Sequence, residues 1–251
     1  MSGTVAGLVI LGQPVAQSQT SPPKPSFEVA SIKLNKSLYD GGSVRFPPAG
    51  RFLGRNVSLR PLIAIAYKLK AFQLLGGPSW IDDERYDIDA MAEGTPPPEQ
   101  IFLMLQSLLA ERFNLAVHWE SRELKGFSLV AMKAGQPGPK MRPSSVNCSD
   151  LPMPAPCMAG GIRIGDLKMI GTSTGRLIDV INGEVKAPVI DETRLDGTFD
   201  VELHWSPELA NSLDLPSIFT ALQEQLGLKL VPKLVPADVL VIDRAEHPTP
   251  N

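Results

Sequence analysis

The sequence predicts an α+β protein built from two similar halves. Three observations predict it. Helix-like and strand-like periodicities alternate along the chain. Units of helix, strand, turn and returning strand come in the same order on both sides of a Pro/Gly/Ser-rich stretch at residues 134–161, as a duplicated segment would leave them. And the phrase "WIDDERYDIDAMAE" (residues 80–93) returns in altered form as "VIDETRLDGTFDVELHW" (residues 189–205).

Taken in order, "FEVASIKLN" (Phe27 to Asn35) alternates apolar and polar residues and predicts a strand. "GRFLGRNVSLRPLIAIAYKL" predicts a short strand at Phe52–Leu53, then a helix capped by Ser58. Pro61 falls in its first turn, where a missing N–H costs nothing. After the break at Gly76–Pro78, "RYDIDAMA" predicts a strand. "TPPPEQIFLMLQSLLAERF" predicts a helix that starts after its prolines and buries Ile101, Leu105, Leu108 and Leu109. "NLAVHWESRELKGFSLVAMK" predicts a hairpin with strands at Leu115–Glu120 and Phe127–Met132. In the second half, "IRIGDLKMI" predicts a strand, "MIGTSTGRLIDVI" a capped helix, "GTFDVELHW" a strand, "LPSIFTALQEQLG" a helix, and "LKLVPKLVPADVLVIDRAE" a closing hairpin. The helices pack on mostly antiparallel sheets. The boundaries are therefore a leading segment at 1–25, a first half at 26–133, the insert at 134–161, a second half at 162–246 and a tail at 247–251.

Composition narrows the function classes. A hydrophobic share of 43% suits a folded domain, and the net charge of -3 gives no basic footprint, so nucleic acid is not an expected partner. No stretch approaches the roughly 20 apolar residues of a membrane span. "TVAGLVILG" followed by a Pro- and Ser-rich tract reads as an export signal lacking its positive start. In an exported chain, Cys148 and Cys157 are expected to close a local disulfide, because their spacing is unlike that of zinc ligands.

"FEVASIKLNKS", "GRFLGRNVSLRPLIAIAY", "GGPSWIDDERYDIDA", "LLAERFNLAVHWESRELKGFSLVAMKAG" and "VIDETRLDGTFDVELHWSP" together resemble a family of exported proteins abundant in soil Acidobacteria. That family is described by a soil-associated conserved region and a domain of unknown function, and the resemblance runs from about Phe27 to Arg244. It implies a secreted or periplasmic protein. Through a similar soil-metagenome protein, it implies a calcium-dependent hydrolase that opens N-acyl-homoserine lactones, which is quorum quenching. A non-catalytic module of an envelope sensing or assembly system and a general carboxylesterase are the alternatives.

Three constellations could carry chemistry. "GTSTG" (Gly171 to Gly175) fits the G-x-S-x-G nucleophile elbow, with Ser173 as nucleophile. Asp191 or Asp200 and then His204 or His247 follow in the order used by α/β hydrolases. The same residues equally fit a plain helix cap. The acidic set Asp82, Asp83, Glu84, Asp87, Asp89, Asp191, Glu192, Asp196 and Asp200 could supply oxygens to calcium, with Asp82, Asp83, Asp87, Asp191 and Asp196 as the metal set. No EF-hand loop is present, and Arg85 and Arg194 could neutralise these turns instead. Last, His118 and Glu120 in "HWE" share one face of a strand and could form a base with its orienting acid or two metal ligands, with Glu123 nearby beyond the turn. Trp80, Trp119 and Trp205 could line an acyl pocket or simply pack in the core.

Overall fold

The computed structural model describes residues 24–37, 41–148, 157, 160–163, 165–207 and 215–248. The predicted export signal lies outside them. The first lobe runs β1 (Val29–Asn35), β2 (Ser43–Arg45), β3 (Arg51–Ser58), α1 (Leu59–Ala66), β4 (Leu74–Gly76), α2 (Trp80–Asp83), β5 (Arg85–Met91) and α3 (Pro98–Arg112), and leads into the long strand β6 (Ala116–Ala131). The second runs β7 (Met141–Pro143), β8 (Gly161–Arg163), β9 (Asp166–Thr172), α4 (Thr174–Val185), β10 (Val189–Asp191), β11 (Phe199–His204) and α5 (Ile218–Ala221). It continues through a π turn at Leu222–Leu226 into β12 (Leu228–Arg244). This is the α+β class that the periodicities predict.

Local chemistry sets these elements. Pro98 occupies the first turn of α3, Arg112 stands in its last turn beside the partial negative charge of the C-terminus, and Ile101, Met104, Leu105, Leu108 and Leu109 form its buried stripe. The helix begins at the last of the three prolines, not after them. Ser58 and Ser173 precede α1 and α4, and only Ser173 makes a side-chain cap, accepting from the Arg176 N–H at 3.3 Å. "IRIGDLKMI" is two strands, β8 and β9, paired antiparallel across a turn that includes Gly165 (φ 78°).

The two predicted hairpins do not form. β6 and β12 are single strands that pair with each other, from Ala116 opposite Arg244 to Ala131 opposite Leu228. What looked like two local turns is one antiparallel ribbon joining the lobes. β12 tolerates Pro232 and Pro236 because β4 pairs only with its far end, Leu240 to Ile242, so those positions stand on an open edge. Gly126, read as a turn residue, instead marks a close approach. A Cβ there would lie 2.2 Å from the Pro188 carbonyl oxygen, which accepts the Phe127 N–H at 2.9 Å.

The halves match strand for strand. Their outer sheets have the orders β1-β5-β3-β2 and β7-β11-β9-β8, and the central sheet has the order β10-β6-β12-β4. Val189 pairs in parallel with Phe127, and Leu74 with Leu240, which makes Phe127 and Leu240 counterparts. Asn114 (φ 46°) before β6 and Gly227 (φ 66°) before β12 take the same left-handed turn. β7 shows that the insert is not merely a linker, since it supplies an edge strand in the position that β1 holds in the first lobe.

Each lobe has its own core between an outer sheet and one end of the ribbon. In the first, Phe52, Tyr86 and Ile88 meet α1, α3, Leu240 and Ile242; in the second, Val201, Leu203 and Trp205 meet α4, Leu129 and Leu230. Trp205 is buried and its indole N–H donates to Glu184 at 2.9 Å, so it is a core residue. Burial of each such side chain contributes roughly 1.5–3 kcal/mol. Lys70 and Asp179 form an ion pair at 2.6 Å between the lobes. His247, assigned from sequence to a free tail, stacks on Trp80 with ring centroids 4.3 Å apart and contacts Glu84 at 3.0 Å.

Candidate functional site

The repeated acids have a structural role. β3 bulges against β5 between Gly54 and Val57, and β11 is irregular against β9 between Phe199 and Val201. At each irregularity one residue turns left-handed, Asn56 (φ 52°) and Gly171 (φ 56°). Its N–H donates at 2.9 Å to an aspartate of the neighbouring strand, Asp87 for Asn56 and Asp200 for Gly171. A carboxylate that accepts the amide a bulge leaves outside the ladder fixes the bend. Asp87 also accepts from Asn35 Nδ2 at 2.9 Å. Its burial pushes its pKa up, but the bonds from Asn35 and Asn56 and the nearby Arg55 and Lys33 charges outweigh this and hold it below the usual carboxylate range.

Ser173 stands after a strand and before a helix, as an elbow would. Its backbone is extended (φ -80°, ψ 160°), and its hydroxyl accepts the cap bond from Arg176. His204 pairs in register with Asp166 at the far end of β9, and Ser173 follows the near end. Seven strand residues at about 3.3 Å each put roughly 20 Å between them. The predicted Ser173–Asp200–His204 triad is therefore not assembled. His204 Nδ1 meets Asp166 at 2.9 Å instead, and Gln225 brackets the His204 backbone at both N–H and C=O.

The predicted calcium ligands are likewise engaged or separate. Asp82 makes a two-pronged ion pair with Arg60, at 2.6 and 3.1 Å. Asp191 accepts the Thr193 N–H and hydroxyl at 2.9 and 2.7 Å. Burial raises its pKa, yet hydrogen bonds from Thr174 and Thr193 bring it below its usual value. Asp83 and Asp196 are exposed, at the end of α2 and in the connection before β11. Asp89 is held by Arg51 at 2.8 Å and Glu192 by Lys233. Among the described residues, no three His, Cys, Asp or Glu side chains gather as a metal site. As placed, these described residues do not fit a carboxylate cage for calcium.

His118 is different. Its Nδ1 lies 2.9 Å from both carboxylate oxygens of Asp243 on the paired strand, and its Nε2 lies 3.9 Å from Glu120. Glu120 binds Arg122 at 2.8 Å, a bond that with the Arg122 charge holds its carboxyl below the ordinary range. His118 and Glu120 share a face, as their spacing predicts. The carboxylate that orients His118 is Asp243, which the sequence reading missed.

The second lobe offers an internal comparison. By ribbon register, the counterparts of His118, Glu120, Arg122 and Asp243 are Val231, Lys233, Val235 and Val130. Three of these counterparts are valines and only Lys233 is charged, so the scaffold does not require a His–Asp pair here, yet the first lobe carries one. Trp119 is 55% exposed one residue away, on the opposite face of the ribbon. Cys148 and Cys157 do form the expected disulfide, with Cα atoms 5.7 Å apart. The Cys148 N–H donates to Gly171 O at 3.0 Å and ties the insert to β9.

Two sheet-and-helix lobes zipped by one ribbon, with a His–Asp pair on its surface, define a two-lobed α+β class. The chain belongs to the DUF3738 family, described as proteins of unknown function, whose profile matches residues 60–245. No curated protein and no solved structure gives a significant match. No helix of the described residues is long and apolar enough to cross a membrane.

Proposed function

We propose that the protein is an exported hydrolase that opens the lactone ring of N-acyl-homoserine lactones, with His118 as its base. The resemblance drawn from the sequence supplies the substrate class. The observation that carries the chemistry is the His118–Asp243 pair, present in one lobe and replaced by two valines in the other. Asp243 accepts from Nδ1–H, which fixes the tautomer and leaves Nε2 unprotonated. Nε2 takes a proton from a water whose oxygen bonds to the lactone carbonyl carbon. As the ring C–O bond breaks, the imidazolium returns that proton to the departing alkoxide, giving the open N-acyl-homoserine. The recurrence of sheet order and register supports an origin by duplication, with one copy later acquiring the polar cluster.

A second reading is a non-catalytic binding module. It is favoured by two hollows in counterpart positions on the outward faces of the outer sheets. One, of about 540 Å³, is lined by Lys33, Arg55, Asp87 and Asp89; the other, of about 290 Å³, by Arg142, Lys168, Asp200 and Glu202. Both mix cations and anions in an open setting.

The deciding experiment incubates the purified chain with dodecanoyl-homoserine lactone, with and without a chelator, and follows the ring-opened acid by mass spectrometry. Turnover above the spontaneous rate is expected, whereas none in either arm leaves the binding-module reading. Calcium enters this proposal through the resemblance alone, and full turnover in the chelator arm removes it. Equal turnover of simple aryl esters would make the protein a general carboxylesterase.

A further inference from the structure

The two strands of the ribbon treat their open edges differently. In an antiparallel pair the N–H and C=O of one residue point to the same side, and that side alternates along the strand. The Phe127 N–H donates to Pro188 O and the Leu129 C=O accepts from the Glu192 N–H, so odd-numbered residues of β6 face away from β12. β10 covers that side only from Phe127 to Leu129. Val117, Trp119, Ser121, Glu123 and Lys125 therefore present their N–H and C=O groups outward. Among the described residues, no backbone or side-chain group bonds to these atoms. Trp119, Ser121, Glu123 and Lys125 are exposed, so the edge is open to solvent. The matching edge of β12 is closed. By the ribbon register, the counterparts of Trp119 and Glu123 are Pro232 and Pro236, which have no N–H to offer. The Asp238 C=O on the same edge already accepts from Gln73 Nε2 at 3.1 Å. Prolines on an outward edge block pairing with another chain. One strand of the ribbon carries that protection, and the other carries donors.

We infer that the β6 edge pairs antiparallel with the β6 edge of a second copy of this chain, across a twofold axis at Ser121. Two separate features select that register. Ser121 is the midpoint of the open run from Val117 to Lys125, so only this axis pairs the run along its whole length. The same axis sets Glu120 of each copy opposite Arg122 of the other, whereas axes at Glu120, Arg122 or Glu123 oppose like charges. Val117 then lies opposite Lys125 of the second copy and Trp119 opposite its Glu123, and each such pair exchanges two hydrogen bonds. The pairing stops short of Phe127, whose edge β10 already covers. Directly opposed residues share a face, so Leu124 of the second copy stands beside His118, and each His–Asp pair gains an apolar neighbour from the other chain. A contact of this kind uses the same patch on both copies and closes as a dimer.

Sedimentation equilibrium of the full chain tests this, with loading from micromolar to millimolar concentration because a strand-edge contact is small. Wild type is expected to approach twice the mass of one chain as concentration rises. Glu123→Pro copies what β12 carries at Pro236, removes an N–H that β12 does not use, and is expected to stay at the single-chain mass with its thermal unfolding little changed. Ser121→Pro, also at an outward N–H, is the second variant should the first disturb folding. Arg122→Glu sets two glutamates against each other and is expected to weaken association at least about tenfold. Adding Glu120→Arg to it rebuilds the pair with its charges exchanged and is expected to restore the dimer. Wild type that remains a single chain at the highest concentration overturns the inference. So does a dimer that persists in the folded proline variants, and a charge exchange that fails to restore association overturns the axis at Ser121. The readout is mass, so the result stands apart from any lactone turnover.

Discussion

Asp87→Ala is expected to lower the unfolding free energy by about 2 kcal/mol, because it strips a charged acceptor from a bulge amide that has no ladder partner. The variant loses the bonds from the Asn56 N–H and from Asn35 Nδ2, each 2.9 Å long. Asp200→Ala removes the corresponding bond from Gly171 and is expected to cost less, since Asp200 is exposed and water can replace it. The pH dependence has a definite sign. Asp87 and Asp191 both titrate below their ordinary values in the folded chain. Their contribution is complete above the unfolded carboxylate pKa of about 4 and declines as the pH falls through the lower folded values. Urea unfolding of wild type and Asp87→Ala at pH 7 and pH 3 measures both effects. The stability gap between the two proteins should shrink at pH 3; a gap that widens contradicts the latch.

Asp243→Asn is expected to reduce kcat on the lactone by about 10²–10⁴-fold with little change in stability. The side chain is exposed and its neighbours in β12 stay paired, so the fold loses little. An asparagine amide at this position can donate to Nδ1, which moves the imidazole proton to Nε2 and occupies the atom that must take the proton from water. The KM should change far less than kcat, because Asp243 positions His118 and does not hold the acyl chain. Initial rates across lactone concentration separate the two constants. An unchanged kcat would show that the His118 tautomer is irrelevant to the reaction.

Much of the architecture was legible in the sequence because local signals agreed with tertiary ones. The alternation in "FEVASIKLN" became β1, Pro98 opened α3 over its apolar stripe, and Ser173 capped α4. The ribbon was not legible. The largely polar run from Glu120 to Lys125, broken only by Leu124 and followed by Gly126, has the composition of a turn, yet its strand simply crosses the open span between two cores. Only the pairing partner more than a hundred residues away decides between hairpin and ribbon. The acids were visible as a repetition, but the amides they hold were not. Their partners, Asn56 and Gly171, each stand two residues before the serine that precedes a helix, a spacing that compares the halves directly. Asp243 escaped notice because it lies 125 residues from His118. Aligning β6 with β12 would have exposed it, as an aspartate standing where the other copy has Val130.

The central claim is that reactivity resides at His118 on the ribbon, while Ser173 is a helix cap. Lactone ring opening measured side by side for wild type, His118→Ala and Ser173→Ala, with thermal unfolding recorded for each, tests it most directly. The account predicts that His118→Ala falls to the spontaneous rate at unchanged Tm, and that Ser173→Ala keeps its turnover while losing about 1 kcal/mol of stability from the missing cap. Full activity in His118→Ala, or loss of activity in a stably folded Ser173→Ala, would contradict it.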